Sequence, residues 1–154
     1  SRDHQALVQD FIWGHYGAAA PAIAEYEALK NSLRTNFAKE MATPPGAINF
    51  PMDVSFLNRD FLDKATAIFA RAKQLAAGDK QILERVERAE LPILYVKCWR
   101  GPKFDGPTYA DDVAEFERIG KQVGIKVLSE GESNFDSVVA KWKKRIPSSQ
   151  TSKP

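Results

Sequence analysis

Apolar residues recur at helical spacing through the first forty positions of the chain. The first stripe is Leu7, Val8, Phe11 and Ile12, and the second comprises Ala22, Tyr26, Leu29, Leu33 and Phe37. Gly14 is expected to end the first helix, and Gly17 to permit a second sharp turn. Pro21 suits the first turn of the next helix, because its missing N–H costs nothing there. The pattern predicts a helix, a tight elbow and a longer helix that continues to about Glu40.

Two longer stripes fill the middle of the chain. The third comprises Phe61, Ala65, Ile68, Ala72 and Leu75, and the fourth comprises Ile82, Val86, Ala89, Ile93 and Val96. Asn58 or Asp60 can cap the third helix, and Asp79 the fourth. Pro92 lies inside the predicted fourth helix and should kink that helix, at a cost of about 3 kcal/mol. Arg85 and Arg88 lie on the side of Pro92, opposite the stripe, and Glu84 is spaced to pair with Arg88.

Two shorter helices are predicted near the C-terminus. The fifth stripe is Val113, Phe116, Gly120 and Val123, and the sixth is Phe135, Val138, Val139, Trp142 and Ile146. Thr108 with Asp111, and Ser133 with Asp136, match the spacing of a capping box. Gly124 is expected to close the fifth helix.

The remaining segments are expected to be irregular. Residues 48–56 alternate apolar and polar side chains, which predicts an extended apolar loop or edge because Pro51 excludes a central strand. Residues 147–154 are polar and predict a disordered tail. The expected fold is all-α, with about six helices in one helical domain over residues 1–146.

Composition and charge exclude several classes of function. The net charge of +2 is too small and too evenly spread for a nucleic-acid-binding face. No apolar run is long enough to span a membrane. Cys98 is the single cysteine, so no internal disulfide forms, and His4 and His15 match no metal-binding spacing. No cofactor is expected.

The chain shows no catalytic constellation. Glycoside hydrolysis needs paired carboxylates in a pocket, and ester chemistry needs a nucleophile with a histidine. His15 could act as a base and Tyr16 or Tyr26 could present a hydroxyl, but single residues of these types more often have a structural role. Trp13 and Trp99 could stack on sugar rings, although tryptophan at helical spacing is more often core or interface. The residues alone therefore predict a domain that is not an enzyme.

Two segments resemble a known bacterial family. Asp10–Ala20, DFIWGHYGAAA, resembles the EF-x-x-G-YYG-x-AA segment of the family catalogued as domain of unknown function 4838 (DUF4838), and Tyr26 matches a following tyrosine. Residues 77–96, from Ala-Gly-Asp to Leu-Pro-Ile-Leu-Tyr-Val, are similar to a helix later in the same proteins. Asp10 and His15 stand where the family more commonly has Glu and Tyr.

The resemblance implies a part of a carbohydrate-active enzyme. Members of that family resemble glycoside hydrolases that carry a (β/α)₈ barrel (TIM barrel), followed by a helical region that covers residues 5–146 here. Catalytic groups in such enzymes lie at the barrel strands. The resemblance implies that this chain is a fragment that supports an upstream barrel, forms a homodimer, or closes one wall of a glycan-binding cleft. It also implies a periplasmic or extracellular parent acting on a polysaccharide.

Two other functions remain open. The chain could be a free-standing protein-interaction module that binds through the side of Arg85, Arg88 and Pro92, or through residues 48–56. It could also be a carbohydrate-binding module that uses Trp13, Tyr16 and Trp99. The candidate interface or ligand residues are Trp13, His15, Tyr16, Tyr26, Arg88 and Trp99. The Gly14–Gly17 elbow is the expected place for contact with a barrel, because Ala18–Ala20 would leave a flat surface beside His15 and Tyr16.

Overall fold

The computed structural model describes residues 2–37, 54–128 and 134–150, with side chains described from Ala6 onward. The fold is all-α, as predicted: in these ranges the extended chain amounts to an isolated bridge between Val127 and Asn134. The α-helices are α1 (Arg2–Tyr16), α2 (Ala20–Asn36), α3 (Arg59–Ala76), α4 (Lys80–Arg100), the single turn α5 (Pro102–Asp105), α6 (Tyr109–Gln122) and α7 (Phe135–Lys143). Short 3₁₀ turns occupy Gly17–Ala19, Gly106–Thr108 and Ser148–Gln150.

The contacts divide the chain into two compact units, Ser1–Glu90 and Leu91–Pro154. The sequence analysis predicted one helical domain over residues 1–146. We call the two units the first and the second unit.

The first unit is built around small residues at the start of α2. The 3₁₀ turn Gly17–Ala19 and α2 both pack on α3. Ala19, Ala20 and Ala22 are fully buried, which allows the helices to approach closely. Tyr26 of α2 packs its ring on Phe69 of α3, with centroids 4.8 Å apart. The short side chains of the alanine run therefore serve internal packing.

Helix α3 follows its predicted stripe with one difference. The side chain of Asn58 caps the helix by accepting a hydrogen bond from Phe61 N at 3.0 Å. The buried residues are Phe61, Leu62, Ala65, Ile68, Phe69, Ala72 and Ala76. Leu75 was expected in this stripe but is 43% exposed. Phe56 is the buried end of the predicted 48–56 loop, whose residues 48–53 lie outside the described ranges.

The elbow at Gly14–Gly17 differs from the prediction. Helix α1 passes through Gly14 and ends at Tyr16, so the expectation that Gly14 ends it is wrong. The chain turns at Gly17, which has φ +46°, a conformation that favours glycine. A Cβ atom at Gly17 would lie 2.5 Å from Ile82 Cδ1, whereas one at Gly14 meets nothing within 4 Å.

This contrast gives opposite expectations for the two glycines. Gly17→Ala should lower the free energy of unfolding by about 1–3 kcal/mol, because alanine is strained at positive φ and Ile82 must also move. Gly14→Ala is the control: its backbone is helical and its surroundings are open, so it should raise stability by up to about 1 kcal/mol. Urea unfolding followed by circular dichroism measures both. Equal effects of the two substitutions would contradict this description of the elbow.

The second unit has an aromatic core, and residues near its C-terminus form hydrogen bonds with earlier backbone groups. Its buried cluster comprises Leu91, Leu94, Cys98, Tyr109, Val113, Phe116, Ile119, Phe135, Val139 and Trp142. Arg145 donates to the carbonyl oxygens of Trp99 and Arg100, at 3.1 and 3.2 Å, and so satisfies the end of α4. Gln150, within the predicted tail, accepts from Ala110 N and donates to Gly106 O. Residues 151–154 lie outside the described ranges.

Two of the helix starts differ from the predicted caps. Thr108 precedes α6 without a side-chain capping bond, so the capping box with Asp111 is wrong. Helix α7 is capped by Asn134, whose side chain accepts from Ser137 N at 3.1 Å, and Ser133 lies outside the described ranges. Gly124 follows α6 with φ +75°, as expected for a glycine that closes a helix.

The second unit also buries a charged cluster. Lys97 of α4 is 4% exposed, and its Nζ atom lies 2.6 Å from Asp112 Oδ2 and 3.5 Å from Asp105 Oδ1. Asp105 is completely buried. Burial, and then the hydrogen bond and negative charge of Asp112, raise the pKa of Asp105 to about 7. One lysine therefore serves two carboxyl groups in the interior of this unit.

Candidate functional site

An exposed apolar strip runs along α1 toward its C-terminal end. Leu7 is 67% exposed and Phe11 is 61% exposed, although Ile12 beside them is buried. The ring of Phe11 stacks on the imidazole of His15, with centroids 5.0 Å apart and an interplanar angle of 14°. Leu7, Phe11 and His15 follow at intervals of four residues, so they share one side of the helix. We call Leu7, Phe11 and His15 the α1 strip.

The α1 strip ends at a polar cleft of about 540 Å³ in the first unit. His15 and Tyr16 line the cleft from the last turn of α1, and residues of the first half of α4 line it from the other side. The α4 residues are Gln81, Glu84, Arg85, Arg88 and Ala89. Their spacing of three and four places them on one face of α4.

The cleft is held in shape by a contact between its two walls. Arg85 Nη1 donates a hydrogen bond to the carbonyl oxygen of His15 at 2.8 Å. This carbonyl lies in the last turn of α1, where no further helical N–H is available to it. Arg85 thus fixes the end of α1 against α4, and the guanidinium retains other N–H donors beside the cleft.

The charges in the cleft are arranged differently from the predicted pairing. Glu84 lies 4.0 Å from Lys80, the residue four positions before it, so the expected Glu84–Arg88 pair does not form. Arg88 is exposed, and its guanidinium makes no ion pair or hydrogen bond with the described residues. The lining therefore contains two arginines and one carboxylate, with a net charge of about +1.

His15 and Tyr16 contribute polar atoms rather than charge. Partial burial, and then the positive charge of Arg85, lower the pKa of His15 below its usual value. Burial, and then the negative charge of Glu27, raise the pKa of Tyr16. Both side chains are neutral at pH 7, so the two arginines give the cleft its positive character. Such a cleft can donate hydrogen bonds to an oxyanion, but the described residues that line it include one carboxylate and not the pair of a glycosidase.

The structure brings together three of the six candidate residues proposed from the sequence. His15, Tyr16 and Arg88 line the cleft. Trp13 is exposed on α1, about 200° around the helix from Phe11 at about 100° per residue. Trp99 is exposed in the second unit.

Tyr26 belongs to the packing between α2 and α3. Its ring contacts Phe69, and Lys30 Nζ lies 4.9 Å from the ring centroid. Burial, and then Glu27, raise its pKa to about 12. Its phenol is therefore not a candidate acid or base. The sequence interpretation missed Gln81, which the three-residue spacing to Glu84 could have placed on the cleft face.

The predicted flat surface at Ala18–Ala20 is not present. Ala18 is exposed, but Ala19 and Ala20 are fully buried. The alanine run therefore cannot offer a docking surface, and the exposed apolar area lies one helix earlier, on α1.

The described part of the chain contains neither a metal-ligand cluster nor a helix suited to a bilayer. Residues 2–37, 54–128 and 134–150 contain no group of three or more His, Cys, Asp or Glu side chains arranged to hold a metal ion. Among the same residues, no helix combines the length and apolar composition needed to cross a lipid bilayer.

Comparison with known proteins adds no assignment. No protein-family model, no curated protein and no solved structure matches the chain.

Proposed function

We propose that this chain is a non-catalytic helical domain of a glycoside-hydrolase-like protein and that it docks on a (β/α)₈ barrel through the α1 strip. The resemblance of Asp10–Ala20 and of residues 77–96 to DUF4838 proteins supports the relationship. In the proposed parent protein the barrel precedes this domain, acts on a polysaccharide or another glycan, and is periplasmic or extracellular.

The observation that carries the docking proposal is the exposure of Leu7 and Phe11. Side chains of this type gain about 1.5–3 kcal/mol each when they are removed from water. Two of them on adjacent turns, beside a cleft with two arginines, form a small apolar patch with a polar rim. Patches of this composition are typical of protein interfaces.

The content of the cleft supports a non-catalytic role. Glu84 is the single carboxylate among the described residues that line it. Hydrolysis of a glycoside requires two carboxyl groups, about 5–9.5 Å apart, on either side of the scissile bond. In the proposed parent protein, the barrel supplies that pair at the ends of its strands.

A free-standing interaction module remains the second candidate. Arg88 is exposed on α4, which makes it available to a protein partner. The coding sequence before Ser1 distinguishes the two proposals. A barrel-sized segment there supports docking within one polypeptide, whereas a start codon or a signal peptide supports the free-standing module.

The docking proposal is tested by Phe11→Ser, with Trp13→Ser as the matched control. Both substitutions remove an exposed aromatic ring from α1, but the two rings lie on different sides of the helix. Phe11→Ser should weaken binding of this chain to the separately produced barrel by at least about tenfold, the equivalent of about 1.4 kcal/mol. Trp13→Ser should leave the dissociation constant unchanged. Isothermal titration calorimetry measures both.

Thermal unfolding of the isolated variants completes this test. Both should keep nearly the melting temperature of the parent chain, since exposed residues contribute little to stability. An unchanged affinity for Phe11→Ser, or no association with the barrel at all, would contradict docking through α1.

A further inference from the structure

The cleft between α1 and α4 has the donors needed to hold an oxyanion. Arg85 and Arg88 follow at a spacing of three on α4, and both residues line the cleft. Arg85 uses Nη1 on the His15 carbonyl, which leaves the other N–H groups of its guanidinium as donors for a ligand. Gln81 adds an amide at the adjoining turn, and Tyr16 adds a hydroxyl from α1.

The opposing charge in the cleft limits which anion fits. Glu84 lines the same space, and its nearest cation is Lys80 at 4.0 Å, the outer limit of an ion pair. With two guanidinium groups and one carboxylate, the lining neutralises one further negative charge. A singly charged carboxylate fits this balance, whereas a dianionic phosphate would leave an excess negative charge beside Glu84.

We propose that this cleft is a carboxylate-binding site in which Arg88 and the free edge of the Arg85 guanidinium hold the carboxylate, and Gln81 and Tyr16 hydrogen-bond to the group that carries it. The planar fork of arginine matches the two oxygens of a carboxylate, which favours this geometry. The carboxylate can belong to a free organic acid or to an acidic side chain of a protein. The cavity of about 540 Å³ has room for either.

His15 provides a reporter for the bound anion. Its ring lies in the cleft lining and stacks on Phe11. The other titratable or charged groups that face this cleft are Tyr16, Glu84, Arg85 and Arg88. A carboxylate held beside the imidazole favours the protonated ring, so binding should raise the pKa of His15 from its lowered value in the empty cleft.

The test is a titration of the chain followed by nuclear magnetic resonance, in a His4→Gln background so that His15 gives the single imidazole signal. One pair of probes is propionate and propionamide, which have nearly the same shape but differ in charge. A second pair is a capped tripeptide with a central aspartate and its asparagine counterpart. We expect saturable shifts with each acid, with a dissociation constant on the order of 1–10 mM, and none with the amides.

Arg88→Gln should raise that dissociation constant by about tenfold, since it removes a charge-assisted bond. The dissociation constant of Arg88→Lys should lie between those of the parent chain and Arg88→Gln, because lysine keeps the positive charge but not the planar guanidinium group. Arg34→Gln, which removes an exposed arginine in the last turn of α2, is the matched control and should change nothing. Both positions are exposed, so the three variants are expected to fold.

The two pairs of probes separate the sources of the carboxylate. A tripeptide that binds at least about tenfold more tightly than propionate identifies a protein side chain as the ligand, and similar affinities identify a free acid. Either result supports the site. Equal binding of acid and amide, an unchanged affinity in Arg88→Gln, or no saturable shift with any probe would overturn it. None of these results depends on docking through Phe11, so this proposal and the proposed function can fail separately.

Discussion

Replacing Lys97 by methionine is expected to lower the free energy of unfolding of the second unit by about 3–5 kcal/mol. The Lys97 ammonium lies 2.6 Å from Asp112 Oδ2 and 3.5 Å from Asp105 Oδ1, and it is 4% exposed. Methionine fills a similar volume but leaves the buried Asp105 and the partly buried Asp112 without their cation. Removal of one partner from a buried ion pair is among the few single changes with effects of this size.

Urea unfolding followed by tryptophan fluorescence measures this effect. In a Trp13→Phe background, the remaining tryptophans, Trp99 and Trp142, both lie in the second unit. Lys103→Met is the control, because Lys103 is an exposed lysine of the same unit, and it should change stability by less than about 0.5 kcal/mol. A loss below about 1 kcal/mol for Lys97→Met would show that the cluster is not a buried ionic site.

The second large effect concerns the pH dependence of the same cluster. Burial and the neighbouring Asp112 raise the pKa of Asp105 to about 7, above the value of about 3.9 for an unfolded chain. Between these values the native state binds a proton that the unfolded state has lost. By linkage, the contribution of Asp105 to stability is therefore full below about pH 4 and is lost as the pH rises to about 7, a change of a few kcal/mol.

Asp105→Asn should remove most of this dependence. The amide keeps the shape of the protonated carboxyl group and cannot ionise, so Lys97 is left with Asp112 as a neutralising partner. We expect the variant to be more stable than the parent chain at about pH 8, and similar to it at about pH 4. The free energy of unfolding is measured for variant and parent at several pH values. Taking the difference between them cancels the contribution of the other carboxyl groups. A variant that is less stable at both pH values would contradict this interpretation.

The helical fold could be predicted because its signals are local. The stripes of α3 and α6 place apolar residues at every third or fourth position, and Asn58 and Gly124 mark a beginning and an end. Gly14 was misread because a glycine in a helical pattern can either end the helix or be tolerated inside it. Only the packing of Gly17 beside Ile82 identifies which of the two glycines turns the chain.

The candidate site was only partly predictable, because it joins residues far apart in the chain. The family-like segment drew attention to His15 and Tyr16, and helical spacing drew attention to Arg88. The contact of Arg85 with the His15 carbonyl spans 70 positions and has no local signal. The same limit applies to the ion cluster of the second unit, since burial of Lys97 cannot be inferred from a lysine in a helical pattern.

The exposure of α1 could not be predicted for a related reason. Leu7 and Ile12 belong to one apolar stripe in the sequence, yet Leu7 is exposed and Ile12 is buried. A hydrophobic stripe shows which side chains gain from burial and packing cover. It does not show whether this chain or another one supplies that cover. The proposed function assigns that cover to the barrel.

Hydrogen exchange of the α1 amides tests this central claim most directly. The measurement compares residues 7–17 in the isolated chain and in the proposed complete protein that contains the barrel, with the amides of α6 as the internal reference. Docking through the α1 strip predicts that exchange of residues 7–17 slows by at least about tenfold in the complete protein, because burial of Leu7 and Phe11 opposes local opening of the helix. Equal exchange rates for α1 in the two proteins would contradict it.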